Sequence, residues 1–329
     1  MNVTSTGGPY FDELAVGDVY DRAPAVTLTD GVAAVHLSIL GSRLRLPLDV
    51  SLSALVTGRS TPLAHPALVC DVAIGQSTLV TQHVIANLFY RGLRFHRFPH
   101  IGDTITTRTE VVALKENSAR PGRAPTGLVA LRITTIDQNG NLVLDFHRCA
   151  MLPLSDDPNP NRPRHNDDMS AVGASEDSAW EIPSDWDLDA YRERTGCAPF
   201  EVPGVTFRSS GDVVSNAPEL ARISMNIAAV HHDRRERGDR LVYGGHTIGL
   251  ALAQANRIFP DMIGILGWIS CDHTGPVREG DTVVSEVTVD SVDRGPRGSV
   301  VHLRSIVRAQ RDDADDVEVL DWRFVALMS

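Results

Sequence analysis

The 329-residue sequence lacks the features that would place it in several common protein classes. Its cysteines are few, lie far apart and form no CxxC pair: Cys70, Cys149, Cys197 and Cys271. This spacing predicts reduced, mostly buried thiols, and it indicates neither a disulfide framework nor a zinc–thiolate site. No apolar run reaches the roughly 18 residues that a membrane span needs. The first residues carry no basic and apolar signal segment, so we expect a cytoplasmic protein with no membrane partner.

Positive charge and nucleotide-binding loops are also scarce. The chain has 42 acidic against 31 basic residues and a formal charge of -11. Proteins that bind nucleic acids usually carry a basic surface, so we expect no such partner. Neither a GxGxxG nor a GxxxxGK[ST] loop is present, and neither is an HExxH metal motif. The acidic surplus is typical of a protein that its charge keeps in solution.

What the sequence does contain is an internal duplication. Residues 153–179 are rich in Pro, Asp, Asn and Ser, and this composition predicts an exposed linker between two domains, residues 1–152 and 180–329. Gly102-Asp103-Thr104 and Gly280-Asp281-Thr282 stand 178 residues apart, and each precedes a strand-like alternation. A turn repeated at one offset, each time followed by further strand patterns, indicates two copies of one domain.

Each half has one apolar segment that can form a buried helix, followed by several alternating segments. The helical segments are residues 65–77 and 245–259. The strand-like segments are 81–97, 103–115, 127–137 and 142–152 in the first half, and 263–274, 281–293, 299–310 and 317–328 in the second. One helix followed by several long antiparallel strands, twice, predicts an α+β fold in which each sheet wraps around a central helix.

Residues 226–246, "NIAAVHHDRRERGDRLVYGGH", carry a family resemblance. This segment and its surroundings resemble the MaoC-like (R)-specific enoyl-CoA hydratases, whose motif [ST]-G-D-x-N-P-x-H-x-D matches Ser224 to Asp233. "ILGSRL" (39–44), "ANLFY" (86–90), "VVALKENS" (111–118) and "DQNGNLVLDF" (137–146) further resemble the two-hotdog subgroup of mesaconyl-CoA hydratases, also known as β-methylmalyl-CoA dehydratases. The resemblance implies a double hotdog fold and a hydro-lyase acting on an acyl-CoA thioester. It implies no cofactor besides the coenzyme A of the substrate.

The resemblance places His231 on the catalytic histidine of the family and Asn226 on its catalytic aspartate. Imidazole titrates near neutral pH and can transfer the proton, whereas an amide can only orient a water molecule. Two interpretations follow: either His231 performs the acid/base chemistry while Asn226 holds the water, or the site is weakened. Asp233 or Glu219 could supply the missing carboxylate. Of the two adjacent histidines we favour His231, because its distance from Asn226 in the sequence is the spacing of the family motif.

The YGGH motif begins the second apolar helix. Glycines let the backbone approach a ligand, and a helix N-terminus can stabilise the negative charge that develops on a thioester oxygen. We assign this role to Gly245, which joins His231 and Asn226 in the predicted catalytic group. The residues predicted to bind substrate are Tyr243, Gly244, His246, Arg234 and Arg235. The arginines of this loop could meet the phosphates of coenzyme A or simply face solvent. A metal site is not indicated, because adjacent histidines rarely point at one ion.

The first half departs from the motif at the corresponding place. Ser42 and Pro47 stand there at the positions of the Asp and His, so this copy is predicted to have become scaffold or binding surface.

Three functions stay open. The leading one is a hydratase for a short branched or dicarboxylic acyl-CoA such as mesaconyl-CoA. The others are a dehydratase for a carrier-bound acyl chain and a non-catalytic protein that binds acyl-CoA. A homodimer or a larger homo-oligomer is compatible with each of them.

Overall fold

The computed structural model describes residues 7–119, 121–173, 179–197, 203–233, 235, 240–311 and 314–329. Its helices, in chain order, are α1 (Asp30–Leu40), α2 (Arg45–Leu48), α3 (Val50–Thr57), α4 (Pro66–Gln76), α5 (Leu188–Thr195), α6 (Ala217–Ile223) and α7 (Gly244–Ile258). Its strands are β1 (Val19–Tyr20), β2 (Val26–Thr27), β3 (Ala86–Phe95), β4 (Thr104–Glu116), β5 (Thr126–Asp137), β6 (Leu142–Pro153), β7 (Thr206–Arg208), β8 (Asp212–Val213), β9 (Met262–His273), β10 (Thr282–Gly295), β11 (Gly298–Arg311) and β12 (Ala314–Met328). Short 3-10 turns cover Phe11–Glu13, Ser77–Val80 and Ala229–His231.

The long strands of both halves belong to one antiparallel sheet. Its order is β1-β4-β5-β6-β3-β9-β12-β11-β10-β7, with β2 paired to β4 and β8 paired to β10. The two halves join where β3 pairs with β9, with Tyr90 opposite Cys271 and Leu93 opposite Trp268. The predicted α+β double hotdog, with a sheet that is continuous across both copies, is therefore confirmed.

The two long helices lie inside the curved sheet. Every residue of α4 is buried, and α7 is buried over most of its length. A helix that is covered on all sides cannot carry a polar face, and this explains the apolar runs from which both helices were predicted. The predicted strands also match, except that β3 begins at Ala86 and not at residue 81. Residues 81–85 instead connect the turn Ser77–Val80 to the strand. In the described part of the chain, no helix combines the length and hydropathy of a bilayer-spanning segment.

The duplication predicted from the Gly-Asp-Thr turns is visible in their geometry. In the first turn the Asp103 carboxylate accepts the N–H of His100 at 2.8 Å, and in the second the Asp281 carboxylate accepts the N–H of Arg278 at 2.9 Å. The glycine of each turn has a positive φ, 100° and 93° respectively. Glycine adopts this conformation without the steric cost that other residues meet. The repeated Gly-Asp-Thr sequence thus reflects the same type of turn, which precedes β4 in the first half and β10 in the second.

The described part of the predicted linker lies against the first half of the sheet. Asp167 exchanges hydrogen bonds with the backbone of Leu114, and Glu116 forms ion pairs with Arg162 and Arg164. Met169 is only 9% exposed. Most of residues 154–173 are exposed, but their polar side chains also fix the segment to β4. Composition alone did not predict these contacts, because they depend on partners some 50 residues away.

The loop that carries the family motif in the second half rests on α4 of the first half. A Cβ atom added to Gly75 would overlap the carbonyl oxygen of Ser224, so only glycine allows this approach. Just beyond, Thr78 accepts the N–H of Ile227 at 3.0 Å, and the Gln82 carbonyl accepts the N–H of Ala229 at 3.0 Å. The first half therefore determines the position of the motif.

We predict that Gly75→Ala lowers the stability of the protein and displaces the motif loop. The added methyl group has no space, and overpacking of this kind costs ~1–3 kcal/mol. The measurement is the urea midpoint of unfolding, with Gly264→Ala as the matched control. Gly264 lies in the buried strand β9, but a Cβ there would contact nothing within 4 Å. Equal midpoints for the two variants would show that the close approach of Ser224 does not matter.

Candidate active site

A cavity of about 370 Å³ lies where the two halves meet. One wall comes from the first half, from residues within 78–90 and from Arg148 on β6. The other comes from the second half, from residues within 226–247 and 273–278. Ligand pockets of this kind are typically concave and mostly apolar, and their few polar groups fix the ligand. The cavity exists only because β3 and β9 bring the two halves side by side.

Four of the predicted site residues lie on the cavity wall: Asn226, His231, Tyr243 and Gly244. Gly245 and His246 follow on α7, where both are buried but do not line the cavity. Arg235 lies on the surface with its side chain 90% exposed, paired with Asp233. Arg234 lies outside the described residues. The structure thus brings half of the predicted set together and places Gly245, His246 and Arg235 elsewhere.

His231 has a defined tautomer at the edge of the cavity. Its Nδ1 lies 2.9 Å from the carbonyl oxygen of Leu241, so Nδ1 donates its proton there and Nε2 carries the lone pair. Burial lowers the pKa of His231 from 6.5 to about 4, and the hydrogen bond to Leu241 offsets this only in part. The Tyr243 ring lies beside the imidazole, with 5.7 Å between the ring centroids. At neutral pH the side chain is therefore an uncharged base.

Asn226 is held by the backbone around it. It follows Met225, whose φ of 65° lies in a region that non-glycine residues rarely adopt. The Oδ1 atom of Asn226 accepts the N–H of Ala228 at 3.0 Å, and its main-chain oxygen accepts a hydrogen bond from Nε2 of His232 at 2.7 Å. Because Oδ1 is engaged, the amide presents Nδ2 as the group available to a ligand or water. His232 thus supports the loop, while its neighbour His231 lines the cavity.

The carboxylates considered as substitutes for the family aspartate do not reach the cavity. Hydrogen bonds from Arg235 hold the pKa of Asp233 at about 2, and this carboxylate lies on the surface. Glu219 on α6 lies 3.4 Å from Arg222. Among the described residues that line the cavity, none is an Asp or a Glu. Histidine is therefore the side chain on this wall best suited to acid/base chemistry.

The first turn of α7 completes this wall. No side chain caps the helix after Tyr243. The N–H of His246 bonds the Tyr243 carbonyl at 2.9 Å, so the N–H groups that remain available are those of Gly244 and Gly245. A Cβ atom on Gly244 would lie 2.6 Å from Cε1 of His273, and one on Gly245 would overlap the Asp71 carboxylate. A larger residue would not fit at either position, so packing requires both glycines. Because Gly244 also lines the cavity, the N-terminus of α7 lies close to it. The partial positive charge there can stabilise a developing oxyanion.

The unpredicted polar side chains on the cavity wall include Arg278 and several threonines, and three others stand out: Asn87, Arg148 and His273. Each has buried polar atoms without a hydrogen-bond partner among the described residues, namely both amide atoms of Asn87, Nε of Arg148 and Nε2 of His273. Unpaired buried groups are rare because their desolvation is not compensated. One signal for Arg148 was present in the sequence. It alternates with Phe146 and Ala150, both fully buried, on what is otherwise an apolar strand face.

The corresponding place in the first half has a different polar arrangement. His65 precedes α4 as Tyr243 precedes α7, and its Nε2 donates to the Ser42 hydroxyl at 2.7 Å. Burial and the nearby His36 lower the pKa of His65 well below its usual value. His36 in turn lies 3.0 Å from the buried Asp71 carboxylate. These contacts pair the polar groups with one another.

Apolar side chains fill the remaining space in that half. Ile263 and Leu266 stand 178 residues after Ile85 and Leu88, which line the cavity. Unlike Ile85, Ile263 is covered by a cluster that includes Leu46, next to Pro47 in α2, and Tyr191 of α5, whereas Leu266 borders a separate cavity beside Trp186. The protein is therefore packed around Ile263, whereas the corresponding place around Ile85 is open to the cavity.

Fold and cavity together define a double-hotdog protein with a candidate site between its two halves, where His231 and His273 line the wall. No protein-family model matches the chain. It is 57% identical to a conserved hypothetical protein of Mycobacterium tuberculosis with a double hotdog fold, covering 98% of this chain and 99% of that one at a TM-score of 0.94. A putative MaoC domain dehydratase structure from Chloroflexus aurantiacus, 23% identical over 99% of both chains with a TM-score of 0.85, shares the fold.

Two curated proteins are similar over nearly their whole length. The β-methylmalyl-CoA dehydratase of Chloroflexus aurantiacus is 27% identical, with 100% of this chain and 99% of that protein aligned. The mesaconyl-CoA hydratase of Cereibacter sphaeroides is 25% identical, with 92% and 90% aligned. The chain therefore has the double hotdog fold, and it is similar over nearly its whole length to one protein named as a dehydratase and one named as a hydratase of coenzyme A esters. Within the described residues, no group of three His, Cys, Asp or Glu side chains is arranged to hold a metal ion.

We predict that His231 stays neutral well below the pH at which a free imidazole is protonated. With a pKa of about 4 in the folded protein, its resonances should not shift between about pH 8 and about pH 5.5. The measurement is a pH titration by NMR of protein labelled with ¹³C-histidine, with the signal assigned by its loss in His231→Gln. A midpoint near 6.5, the ordinary value, would show that burial does not control this side chain.

Proposed function

We propose that the protein catalyses the reversible hydration of a 2-enoyl-CoA to a 3-hydroxyacyl-CoA, with a short branched or dicarboxylic acyl group such as that of mesaconyl-CoA. The observation that carries this proposal is the neutral His231, whose Nδ1 bonds Leu241 and leaves Nε2 as the base, on the same cavity wall as the uncapped N-terminus of α7. The names of the two curated relatives support the substrate class. Coenzyme A enters as part of the substrate, and the proposed step needs no further cofactor.

The geometry provides a group for each part of the reaction. Nε2 of His231 takes a proton from water, and the water oxygen adds to the β-carbon of the enoyl thioester. The displaced electron pair moves to the thioester oxygen, where the N–H groups at the start of α7 stabilise it. His231 then returns its proton to the α-carbon as the thioester carbonyl re-forms. Each step reverses in the dehydration direction.

Asn226 has a positioning role in this scheme. Its Nδ2 can donate a hydrogen bond to the oxygen of the attacking water, whose proton points at His231. An amide suffices for this task because the histidine both takes and returns the proton. The low pKa of His231 favours the return, since the imidazolium is unstable in the buried cavity.

We expect turnover with coenzyme A esters in a spectrophotometric assay at the enoyl-thioester absorbance. The panel contains mesaconyl-CoA, crotonyl-CoA and the same acyl groups on an acyl-carrier protein. Hydration of the CoA esters supports the proposal, and hydration of only carrier-bound substrates would favour a carrier-dependent dehydratase. Saturable binding without turnover of any substrate would contradict the proposal and indicate an acyl-CoA-binding protein.

We predict that His231→Ala lowers kcat by ~10²–10⁴-fold, the usual effect of losing a general acid/base. Asn226→Ala should cost only about ten- to thirty-fold, as expected for a positioning hydrogen bond. Asn226→Asp should hydrate crotonyl-CoA at least as well as the wild type, but it should repel the second carboxylate of mesaconyl-CoA. The measurement is steady-state hydration by each variant, with folding confirmed by circular dichroism.

The control for these variants is Ser42→Ala in the packed first half. Ser42 occupies the position of the family carboxylate there, but its hydroxyl contacts only buried protein groups. Its kcat should stay within a few-fold of the wild type. Wild-type kcat in folded His231→Ala would remove His231 from the mechanism.

A further inference from the structure

The cavity contains a buried positive charge that the hydration step does not use. Arg148 is 4% exposed, and it stands opposite Tyr90 where β6 pairs with β3. Its Nη2 donates to the Thr81 hydroxyl at 2.6 Å and to the Ser77 carbonyl at 3.2 Å, while Nε has no partner. Arginine stays protonated in proteins, so these neutral contacts leave a full positive charge beside the cavity.

The described residues offer this charge no carboxylate. The cavity wall contains no Asp or Glu among them. Two carboxylates on neighbouring elements are already paired: Asp71 of α4 with His36 at 3.0 Å, and Asp272 of β9 with Arg91 at 2.5 Å. A buried charge without a counterion is costly, and such a group at the wall of a cavity is a candidate for binding a ligand of opposite charge.

The position of Arg148 relative to His231 indicates which part of a ligand it meets. The two side chains share the cavity, and the charge of Arg148 contributes to the low pKa of His231. In a four-carbon dicarboxylic enoyl-CoA the free carboxylate is attached to the β-carbon, the atom that receives the water. A counter-charge for this carboxylate must therefore lie beside the base, as Arg148 does. The phosphates of coenzyme A, at the far end of the molecule, cannot reach there.

We infer that Arg148 binds the free carboxylate of a dicarboxylic acyl-CoA and thereby selects such substrates over monocarboxylic ones. The inference rests on the proposed function, which places the β-carbon near His231. Because Thr81 and Ser77 occupy Nη2, the guanidinium is held in one orientation and meets the carboxylate through its remaining N–H groups, in charge-assisted hydrogen bonds that are stronger than neutral ones. An uncharged acyl group that fills the cavity would leave the buried Arg148 without a counterion, so the site would also disfavour the wrong substrate.

Binding of two saturated coenzyme A esters tests the inference without any turnover. Succinyl-CoA carries the second carboxylate, butyryl-CoA has a methyl group in its place, and neither can be hydrated. By calorimetry, the wild type should bind succinyl-CoA at least ~10-fold more tightly. Arg148→Gln should lose this preference with little change for butyryl-CoA, and Arg148→Lys should keep part of it because the charge remains. Arg162→Gln, which removes an 8% exposed arginine paired with Glu116, is the matched control and should bind like the wild type.

Two results would overturn the inference. In the first, the wild type binds both esters equally. In the second, Arg148→Gln weakens both to the same degree, which would assign Arg148 to the thioester or to the coenzyme A portion. If Arg148→Gln does not fold, the wild type and Arg148→Lys decide the question. A preference for succinyl-CoA in a protein that hydrates no enoyl-CoA would refute the proposed function alone. Hydration without that preference would refute the inference alone.

Discussion

The contact between α4 and the loop at Ser224–Asn226 is the constraint on which the site depends. Gly75 lets the backbone of the loop lie directly on the helix, and Thr78 then accepts the N–H of Ile227. Neither half could position Asn226 and His231 alone, because the support comes from the other copy. The pairing of β3 with β9 keeps the halves in this register along the whole sheet. A duplicated domain with its two copies in one chain retains such an interface without an association step.

The buried polar groups are arranged in opposite ways at the cavity and at the corresponding place in the first half. In the first half, His65 bonds Ser42 and His36 pairs with Asp71, while apolar side chains cover Ile263 on β9. At the cavity between the halves, by contrast, Arg148 and its neighbours keep buried polar atoms unpaired. Unpaired groups reduce stability unless a ligand completes them. The packed copy and the long shared sheet can offset that cost, and such local departures from good packing are typical of functional sites.

Burial has contrasting consequences for the charges at the cavity. It lowers the pKa of His231 and of His273 to about 4, so both are neutral at physiological pH. Arg148 cannot lose its proton in the same way and stays positive. The cavity therefore combines an uncharged base with a fixed cation. This combination is suited to an anionic substrate, because the base remains active while the cation attracts and orients the ligand.

The sequence by itself determined the elements of the fold and the position of the motif. The helices α4 and α7, the eight long strands and the repeated Gly-Asp-Thr turns follow from local periodicity and turn chemistry, which depend on near neighbours in the chain. The alignment of Asn226 and His231 came from a contiguous motif. Only the tertiary structure decided which groups face the cavity. Arg148 and Asn87 reach it from the first half through pairings that local patterns do not encode, whereas the orientation of α7 directs Gly245 and His246 into the protein interior. A site at an interface between two copies depends on contacts between residues far apart in sequence, and only the folded chain brings them together.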